Sequence, residues 1–316
     1  MASGLNNHIG IGKETVFGTP VAPTVFLPIK ESDGIQINKD IQFIEAIKSG
    51  VAGKNKGAFV GKVEYSGGFE SDAYPQFLGH ILRSAFGSVS SALESGETTV
   101  YRHTFTESLT KPSYTVEQKI GEIVKRFAGF VVQNLKIESK AGESVAVSFE
   151  GLAKTQADAT AQTPAYETSR PFNFADVTSI KIGNTEVKSY CEELSFEYDN
   201  QLEGFYSMGA NELQSVYPKP SEAKGKLTLY LDDTTKAFLE DYISKTERAI
   251  EIKIEGDSIG AASKEKLYIK LPKAVMTSVG TKLSTEYNAL EIEFEGVVDE
   301  TDGLIIAYLI NTLSSY

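Results

Sequence analysis

The sequence predicts a mainly β protein made of two tandem antiparallel β-sandwich or barrel domains, each with one short α-helix. Three observations lead to this prediction. Apolar and polar residues alternate with a period of two, two alternating segments end in the same Phe-Glu-Gly triplet, and matching segments follow in the same order in both halves of the 316-residue chain. Alternation with this period is typical of strands that bury one face and expose the other.

The alternation is clearest in residues 144–150 and 290–295. The first segment runs into Phe149-Glu150-Gly151 and the second into Phe294-Glu295-Gly296. Val, Ile, Thr and aromatic residues, which favour strands, recur throughout the chain, with 15 Tyr and 17 Phe among them. Both segments are therefore predicted to be strands of an antiparallel sheet.

Further matched segments indicate an internal repeat. Gly61–Tyr65 resembles Gly225–Leu229, and each precedes a short helical stretch, around Phe77-Leu78 in the first half and Phe238-Leu239 in the second. The remaining matches pair Ile35 and Ile37 with Leu194 and Phe196, Tyr114 and Val116 with Ile250 and Ile252, and Val131, Val132 and Leu135 with Val275, Met276 and Val279. Chance rarely keeps the order of so many segments.

The repeat and the loop composition predict four regions. Residues 1–25, extended by two prolines, form an N-terminal arm, and residues 26–155 form the first domain. Residues 156–171, rich in Ala, Thr and Gln, form an extended, exposed linker to the second domain at 172–316. The first domain also holds an insertion at about residues 87–111, which is rich in Ser, Thr and Gly.

The charge balance argues against tight nucleic-acid binding. The formal net charge is −12, whereas a groove that holds DNA carries excess Lys and Arg to displace counterions from the phosphates. The longest apolar run, Leu304–Ile310, is far shorter than the roughly 20 residues that span a bilayer. The N-terminus lacks a basic segment followed by an apolar run, so we expect neither a secretory signal nor membrane insertion. Cys191 is the single cysteine, which fits synthesis in a reducing cytoplasm.

The sequence contains no recognisable catalytic or metal-binding motif. His8, His80 and His103 are scattered without metal-ligand spacing, and Gly10–Thr15 lacks residues that a phosphate loop requires. Asp299–Gly303 lacks the alternating ligands and the distant Glu of an EF-hand loop. We therefore predict that the protein is not an enzyme and holds no cofactor or metal.

Two terminal segments resemble a known family. Gly12–Thr24, with the sequence GKETVFGTPVAPT, and the closing Ser314-Ser315-Tyr316 look like the signatures of phage tail tube proteins. The order of strand, long loop, strand, helix and strand pairs in each half also resembles the tail tube domain. The resemblance covers essentially the whole chain, so both predicted domains are tail-tube-like.

The resemblance implies a structural role in a virion tail of the siphovirus type. Tail tube domains contribute strands to a closed barrel, with six domains in each ring and rings stacked along the tail. A chain with two domains would then close a ring as a trimer with pseudo-sixfold symmetry, assembled in the host cytoplasm. The implied partners are further copies of the chain, a tape measure protein, a tail terminator and a distal tail protein, with DNA passing through the lumen without specific binding.

The polar strand faces are predicted to line the lumen or its rims. An acidic wall repels phosphates, and this repulsion acts only within about 8 Å of the wall at physiological salt. The predicted lumen residues are Glu64, Ser66, Ser148, Glu150, Ser195, Glu197, Thr228, Glu291, Glu293 and Glu295. The apolar residues that alternate with them are expected to pack outward against the two helices.

Two long loops are predicted to reach adjacent subunits or rings, and the N-terminal arm is a candidate for the same role. The loop residues are Gly50, Lys54, Lys56, Gly209, Asn211 and Lys219. Two alternatives stay open at this point. One is an inner tube protein of a contractile injection system, and the other is a tandem β-domain binding module, such as a virion decoration or glycan-binding protein.

Overall fold

The computed structural model describes residues 6–30, 32–46, 54–282 and 288–316. Within these ranges the chain is mainly β, with antiparallel strand pairs, two α-helices and no closed barrel. The predicted fold class is thereby confirmed at the level of a mainly β, antiparallel protein with one short helix in each half.

Twenty strands and two helices lie in the described ranges, and ten of these strands and one of these helices belong to the first half. The strands are β1 His8–Lys13, β2 Val25–Leu27, β3 Gly34–Glu45, β4 Asn55–Asp72, β5 Gly87–Leu93, β6 Tyr101–Glu107, β7 Tyr114–Ile120, β8 Ile123–Lys140, β9 Ala146–Ala153 and β10 Thr155–Asp158, and helix α1 is Pro75–Phe86.

The second half contains the other ten strands, the second helix and two short 3-10 turns, Phe174–Asp176 and Lys188–Tyr190. The strands are β11 Val177–Ile182, β12 Thr185–Glu186, β13 Cys191–Asp199, β14 Glu203–Phe205, β15 Ser215–Tyr217, β16 Glu222–Tyr230, β17 Arg248–Ser258, β18 Lys264–Lys282, β19 Ala289–Val297 and β20 Ile306–Asn311, and helix α2 is Ala237–Ser244.

The two halves share one order of strand pairing. In the first half the neighbours run β3–β4–β9–β8–β7–β1, and in the second they run β13–β16–β19–β18–β17–β11. In addition, β10 pairs with the beginning of β8, and β20 pairs with the beginning of β18. The long strands β8 and β18 therefore occupy the same place in their respective halves.

Irregularities in the two long strands coincide. Besides a shift opposite Glu255–Ser258 of β17, which only β18 has, each long strand takes part in two β-bulges, where one strand of a pair holds an extra residue. The register shifts lie at Phe127 and Val132 in β8 and at Leu271 and Met276 in β18. Adding 144 to the residue number in β8 gives the residue in β18 in both cases, 127 to 271 and 132 to 276.

This register keeps the match of Val131, Val132 and Leu135 and corrects the other strand matches. Phe196 corresponds to Ile35 and not to Ile37, and Ile250 corresponds to Val116 and not to Tyr114. With Val132 corresponding to Met276, the residue that corresponds to Phe294 is Gly151 and not Phe149, because Gly151 pairs with Val132 and Phe294 with Met276. Likewise Gly225 pairs with Phe294, so it corresponds to Gly67, which pairs with Gly151, and not to Gly61. Gly61 lies beyond the stretch of β4 that pairs with β9.

Helix α1 covers the inner side of the sheets. Pro75 at its start has no amide to satisfy and suits the first turn, and Gly87 ends the helix at φ 103°, a conformation that glycine adopts readily. Its Phe77 ring lies 6.1 Å from Phe149 of β9, centroid to centroid. Phe77 and Phe149 are about 1% exposed and belong to one contiguous core that also contains Phe238 of α2.

The predicted linker is not free of the domains. Thr155–Asp158 is strand β10, paired with β8, and Tyr166 bridges to Phe26. The Glu167 carboxylate accepts hydrogen bonds from the amides of Gln76 (2.9 Å) and Phe77 (3.0 Å), which occupies two of the amides that a helix N-terminus leaves unpaired. The segment after the first domain therefore caps helix α1.

The region expected to be an insertion connects the two halves. It forms the hairpin β5–β6, and β6 pairs with β20 of the second half. The buried His103 lies 3.1 Å from Asn311 Oδ1, and Glu107 accepts a hydrogen bond from Tyr198 at 2.8 Å. The halves meet a second time where β8 pairs with β13.

Both terminal signature segments are built into this fold. In the N-terminal region, β1 pairs with β2 and β7, so residues 8–13 form a sheet strand and not a detached arm in this chain. The buried Glu14 carboxylate accepts hydrogen bonds from Ser113, Thr115 and the Gly129 amide. These bonds fix the segment that follows β1.

The C-terminal tyrosine, Tyr316, packs against helix α1. The Tyr316 ring packs 4.8 Å from His80, its hydroxyl donates to the Gln76 carbonyl at 2.8 Å, and its own carbonyl accepts from Lys13 Nζ at 2.8 Å. A Cβ atom at Gly79 would lie 2.0 Å from the ring, so only glycine leaves room for it there. The two signatures therefore contact each other.

Candidate functional site

One polar face runs across both halves of the molecule. The strands β4, β9, β8, β13, β16 and β19 are neighbours in that order, because the β8–β13 pair joins the halves. Side chains alternate between the two sides of a strand, so the register fixes which residues share a side. We call the solvent-facing side of these six strands the polar face.

The structure brings all ten predicted lumen residues onto this polar face. On β9, Ser148 and Glu150 lie opposite Lys136 and Asn134 of β8. In the second half the cross-strand pairs on this face are Glu197 with Lys224, Ser195 with Lys226, Lys226 with Glu293, Thr228 with Glu291 and Lys224 with Glu295. Glu64 and Ser66 extend the face along β4. Thr228 is 9% exposed and the other nine are half-buried or exposed.

The opposite side of the same strands is the core. The residues that alternate with the ten are all 8% exposed or less: Val63, Tyr65, Val147, Phe149, Phe196, Leu227, Leu229, Ile292 and Phe294. They share one hydrophobic cluster with Phe77 and Phe238 of the two helices. The helices therefore lie on the side of the sheet away from the polar face.

Sequence reasoning missed the lysines of the polar face. Lys136, Lys140, Lys224 and Lys226 stand at positions with the same strand parity as the predicted acidic residues. Carboxylates still outnumber them, since the face also carries Glu70, Glu138, Glu193, Asp199 and Glu222. The alternation of EAKGKLTLY, residues 222–230, was the signal that could have found two of them.

Ion pairs hold several of these charges in place. Lys226 Nζ lies 3.2 Å from Glu291, Lys136 Nζ lies 2.8 Å from Glu138, and Lys224 pairs with Glu222. The hydrogen bond from Lys224 lowers the pKa of Glu222, and the same contact raises the pKa of Lys224. The centre of the face is therefore charge-paired, with the excess of negative charge spread around it.

The first half of the polar face is concave. An open depression of about 860 Å³ lies over β3, β4, β9 and β8 and is lined by Glu64, Ser66, Ser148 and Glu150 among others. Gly68 lies on its floor, at the position that corresponds to Lys226 in the second half. Gly68 has no side chain to fill the depression at this position.

The predicted loop residues fall into three groups. Gly50 lies outside the described residues. Lys54 directly precedes β4 and its Nζ contacts Glu45 at 2.8 Å, and Lys56 lies on β4. In the second loop Gly209 is a turn residue at φ 82°, and Lys219 pairs with Glu203 at 2.9 Å.

Asn211 of the second loop binds the first half of its own chain. Its carbonyl accepts from the Val63 amide at 2.8 Å, and its side-chain amide donates to the Val60 carbonyl at 3.0 Å. Glu212 accepts from the Tyr65 hydroxyl at 2.8 Å. The loop of the second half therefore rests on the β3–β4 hairpin of the first.

Within the described ranges, no three His, Cys, Asp or Glu side chains are grouped as a metal ion would require. Neither described helix is long and apolar enough to cross a membrane. The polar face is the candidate functional site.

Comparison with protein families supplies the decisive observation. The family model described as phage tail tube protein matches residues 4–296, nearly the whole chain. The chain belongs to the phage tail tube protein family. The match includes all six strands of the polar face and both helices, and it makes the protein a structural component of the virion tail. A search of curated proteins finds no match.

Proposed function

We propose that the protein is the repeating subunit of the phage tail tube, and that its two halves arose by duplication of one tube domain. Three chains would form a ring with pseudo-sixfold symmetry, and rings would stack into a tube. The observation that carries this proposal is the continuous polar face, which runs through both halves with one core side and one solvent side. The shared strand order and the coinciding bulges support the duplication.

In this proposal the polar face lines the lumen through which DNA passes. Its excess of carboxylates disfavours phosphate, so that DNA would slide without specific binding. The lysines at its centre lie in ion pairs with neighbouring carboxylates, which limits their attraction for DNA. The helices, on the other side of the sheet, would form the outer wall.

The β3–β4 hairpin is proposed to contact adjacent subunits or rings. Its outer part extends beyond the pairing with β9 and exposes Ile41, Phe43 and Phe59, each more than half exposed. Deleting residues 50–57 should leave the fold intact and stop tube growth, because the described part of this segment, residues 54–57, lies outside the core. Normal tubes from this deletion would contradict the role.

Two measurements test the tube and its lumen. Electron microscopy of the concentrated protein should show rings or hollow tubes, and a stable monomer would refute the subunit role. In a Cys191→Ser chain, a cysteine at Glu293 on the polar face should become inaccessible to a bulky maleimide after assembly. A cysteine at Glu240, an exposed residue of α2, should stay accessible as the matched control. Equal labelling of both sites in tubes would place the lumen elsewhere.

One observation favours a second candidate, the tandem β-domain binding module. The small β14–β15 hairpin carries Phe205 and Tyr217, about half exposed, with ring centroids 6.3 Å apart. Exposed aromatic pairs of this kind suit sugar rings as well as protein surfaces. A chain that stays monomeric and binds glycans through this pair, with loss of binding in Phe205→Ala, would favour that function.

A further inference from the structure

The two halves differ at two strand edges. Strand β18 pairs with β17 up to Ala274, and beyond it the same edge, Val275–Lys282, has no partner strand among the described residues. Strand β3 pairs with β4 on one side, and its other edge likewise has no strand beside it in the described ranges. Open edges of this kind are sites where a further strand adds.

The junction inside the chain shows what such edges accept. In the first half, β13 follows β7 along the edge of β8, and Phe196 pairs with Ile137 there. By the register described above, β8 corresponds to β18 and β13 corresponds to β3, with Phe196 in the place of Ile35. The open edge of β18 thus corresponds to the edge of β8 that pairs with β13, and β3 corresponds to β13.

We propose that β3 of a second copy of this chain pairs antiparallel with the open edge of β18, in the register Ile35 with Thr281, Gln36 with Gly280, Ile37 with Val279 and Asn38 with Ser278. This inference rests on the proposed ring and specifies its closing contact. The contact is heterologous, so it uses a different surface on each copy and closes after a fixed number of chains. The polar face then continues from one chain into the next.

Burial at corresponding positions supports the pairing. On the covered strands, Leu135, Ile137 and Tyr198 are 3% exposed or less. Their counterparts in the open strands are Val279, which is half-buried, Thr281, which is exposed, and Ile37, which is 41% exposed. When β3 of a second copy pairs with this edge, Val279 of one chain and Ile37 of the other become covered. These are the two apolar residues among the three open counterparts.

Backbone hydrogen bonding at β3 also supports its pairing with β18 of a second copy. The Asn200 amide donates to the Gln133 carbonyl at 2.8 Å, so the even-numbered amides of β13, including those of Phe196 and Tyr198, face β8. The amide of Ile35, the counterpart of Phe196, donates to the side-chain oxygen of Gln118 at 3.0 Å instead. Gln118 supplies the acceptor that a neighbouring strand would supply, and pairing with β18 of a second copy replaces it with a backbone carbonyl.

Cysteine crosslinking of mixed full-length chains tests the register. All chains carry Cys191→Ser; one carries Gln36→Cys and a size tag, and the other carries Gly280→Cys, where a Cβ meets open space. Pairs without backbone hydrogen bonds have Cα atoms about 4.5 Å apart, within the range of a disulfide. Oxidation of the mixture should give a crosslinked dimer of tagged with untagged chain, as should Asn38→Cys with Ser278→Cys.

The matched control uses Gln36→Cys with Thr281→Cys, whose side chains leave the sheet on opposite faces. It should crosslink at least tenfold less. A single chain with both Gln36→Cys and Gly280→Cys should give a ladder that ends at three chains.

The outcomes separate the two proposals. Rings or tubes without crosslinking at either predicted pair, or with the control pair crosslinking as well as the predicted ones, would overturn the register and leave the tube subunit role standing. A parent chain that remains monomeric at high concentration would overturn both.

Discussion

The two long strands, β8 and β18, share two bulges at corresponding positions and have corresponding neighbours over most of their length, yet their C-terminal segments differ. In β8 the C-terminal segment lies between β9 and β13, whereas in β18 it has only β19 beside it in the described part of the chain. The same position is therefore fully buried in one half and only half-buried in the other, as Leu135 and Val279 show. In the proposed ring, this difference marks the edge where a further copy of the chain would pair.

The largest expected effect comes from proline substitutions at corresponding positions of β13, which pairs with β8, and of β3, whose outer edge is open. Tyr198→Pro removes a backbone hydrogen bond to β8 and a buried ring, and we expect it to lower the free energy of unfolding by about 5 kcal/mol or more. Ile37→Pro should cost the unassembled chain about 1 kcal/mol or less, because the Ile37 amide faces no strand of its own chain. Urea unfolding of dilute protein measures both. Equal damage by the two substitutions would show that β3 and β13 are not equivalent.

Alanine substitutions compare the two long strands, β8 and β18, through side-chain packing. Leu135 is fully buried, so Leu135→Ala should destabilise the chain by about 2–5 kcal/mol through lost burial and the cavity it leaves. Val279 is half-buried in the single chain, and Val279→Ala should cost about 1 kcal/mol or less there. Thermal unfolding of both variants, measured before and after assembly, distinguishes the effect of Leu135→Ala from that of Val279→Ala. If Val279→Ala weakens assembled protein no more than dilute protein, nothing covers Val279 in the assembly.

The beginnings of the long strands differ in charge. Glu265 on β18 is buried, while the corresponding position before β8 is Gly121. Burial, with Glu167 and Asp257 nearby, raises the pKa of Glu265 from 4.5 to about 7. The folded state therefore loses stability as the pH rises from about 4.5 through 7, since the carboxyl group must ionise in place.

Glu265→Gln should remove this loss and stabilise the chain at pH 8 by on the order of 1 kcal/mol, with little difference from the parent near pH 4.5. Glu255 is the control with the opposite sign. Burial raises its pKa, but hydrogen bonds from Lys266 and Lys253 outweigh this and lower it, so its contribution is lost on acidification. Denaturant titrations from pH 4.5 to 8 test both, and an unchanged pH profile in Glu265→Gln would contradict the assignment.

The smallest effect is expected on the polar face. Lys226 and Glu291 form a partly exposed ion pair, which is worth about 0.5 kcal/mol and weakens with salt. Lys226→Ala should therefore change the unfolding free energy only slightly at low salt and not measurably at high salt. A loss of several kcal/mol would mean that the Lys226 side chain is part of the packing and not only of the charge pattern.

The sequence matches predicted the faces of the strands better than their register. Phe294 was matched to Phe149 but corresponds to Gly151, and Gly225 was matched to Gly61 but corresponds to Gly67. In both cases the matched residue is displaced from the correct one by an even number of positions. Because side chains alternate with a period of two, an even slip keeps every residue on its correct side of the sheet. The polar face was therefore predictable although the alignment behind it was wrong.

Other features could not be derived from local patterns. The second bulge of each long strand, at residues 132–134 of β8 and 276–278 of β18, contains no Gly or Pro, whereas the first contains Gly129 at φ 73° in β8 and Pro272 in β18. The pairing of β6 with β20 joins residues about 200 positions apart, so the composition of residues 87–111 indicated only an insertion. The role of Glu167 as a helix cap was hidden in a segment whose composition is that of a linker.

The β5–β6 hairpin has a mechanical consequence. Inside the chain two strand pairings, β8–β13 and β6–β20, join the halves in addition to the contacts of Asn211 and Glu212. The proposed contact between chains repeats the β8–β13 pairing and has no equivalent of the β6–β20 pairing. A ring of three chains would thus alternate reinforced and plain seams. Under tension or bending, such a tube would part at the three plain seams, releasing whole chains with their two halves still attached.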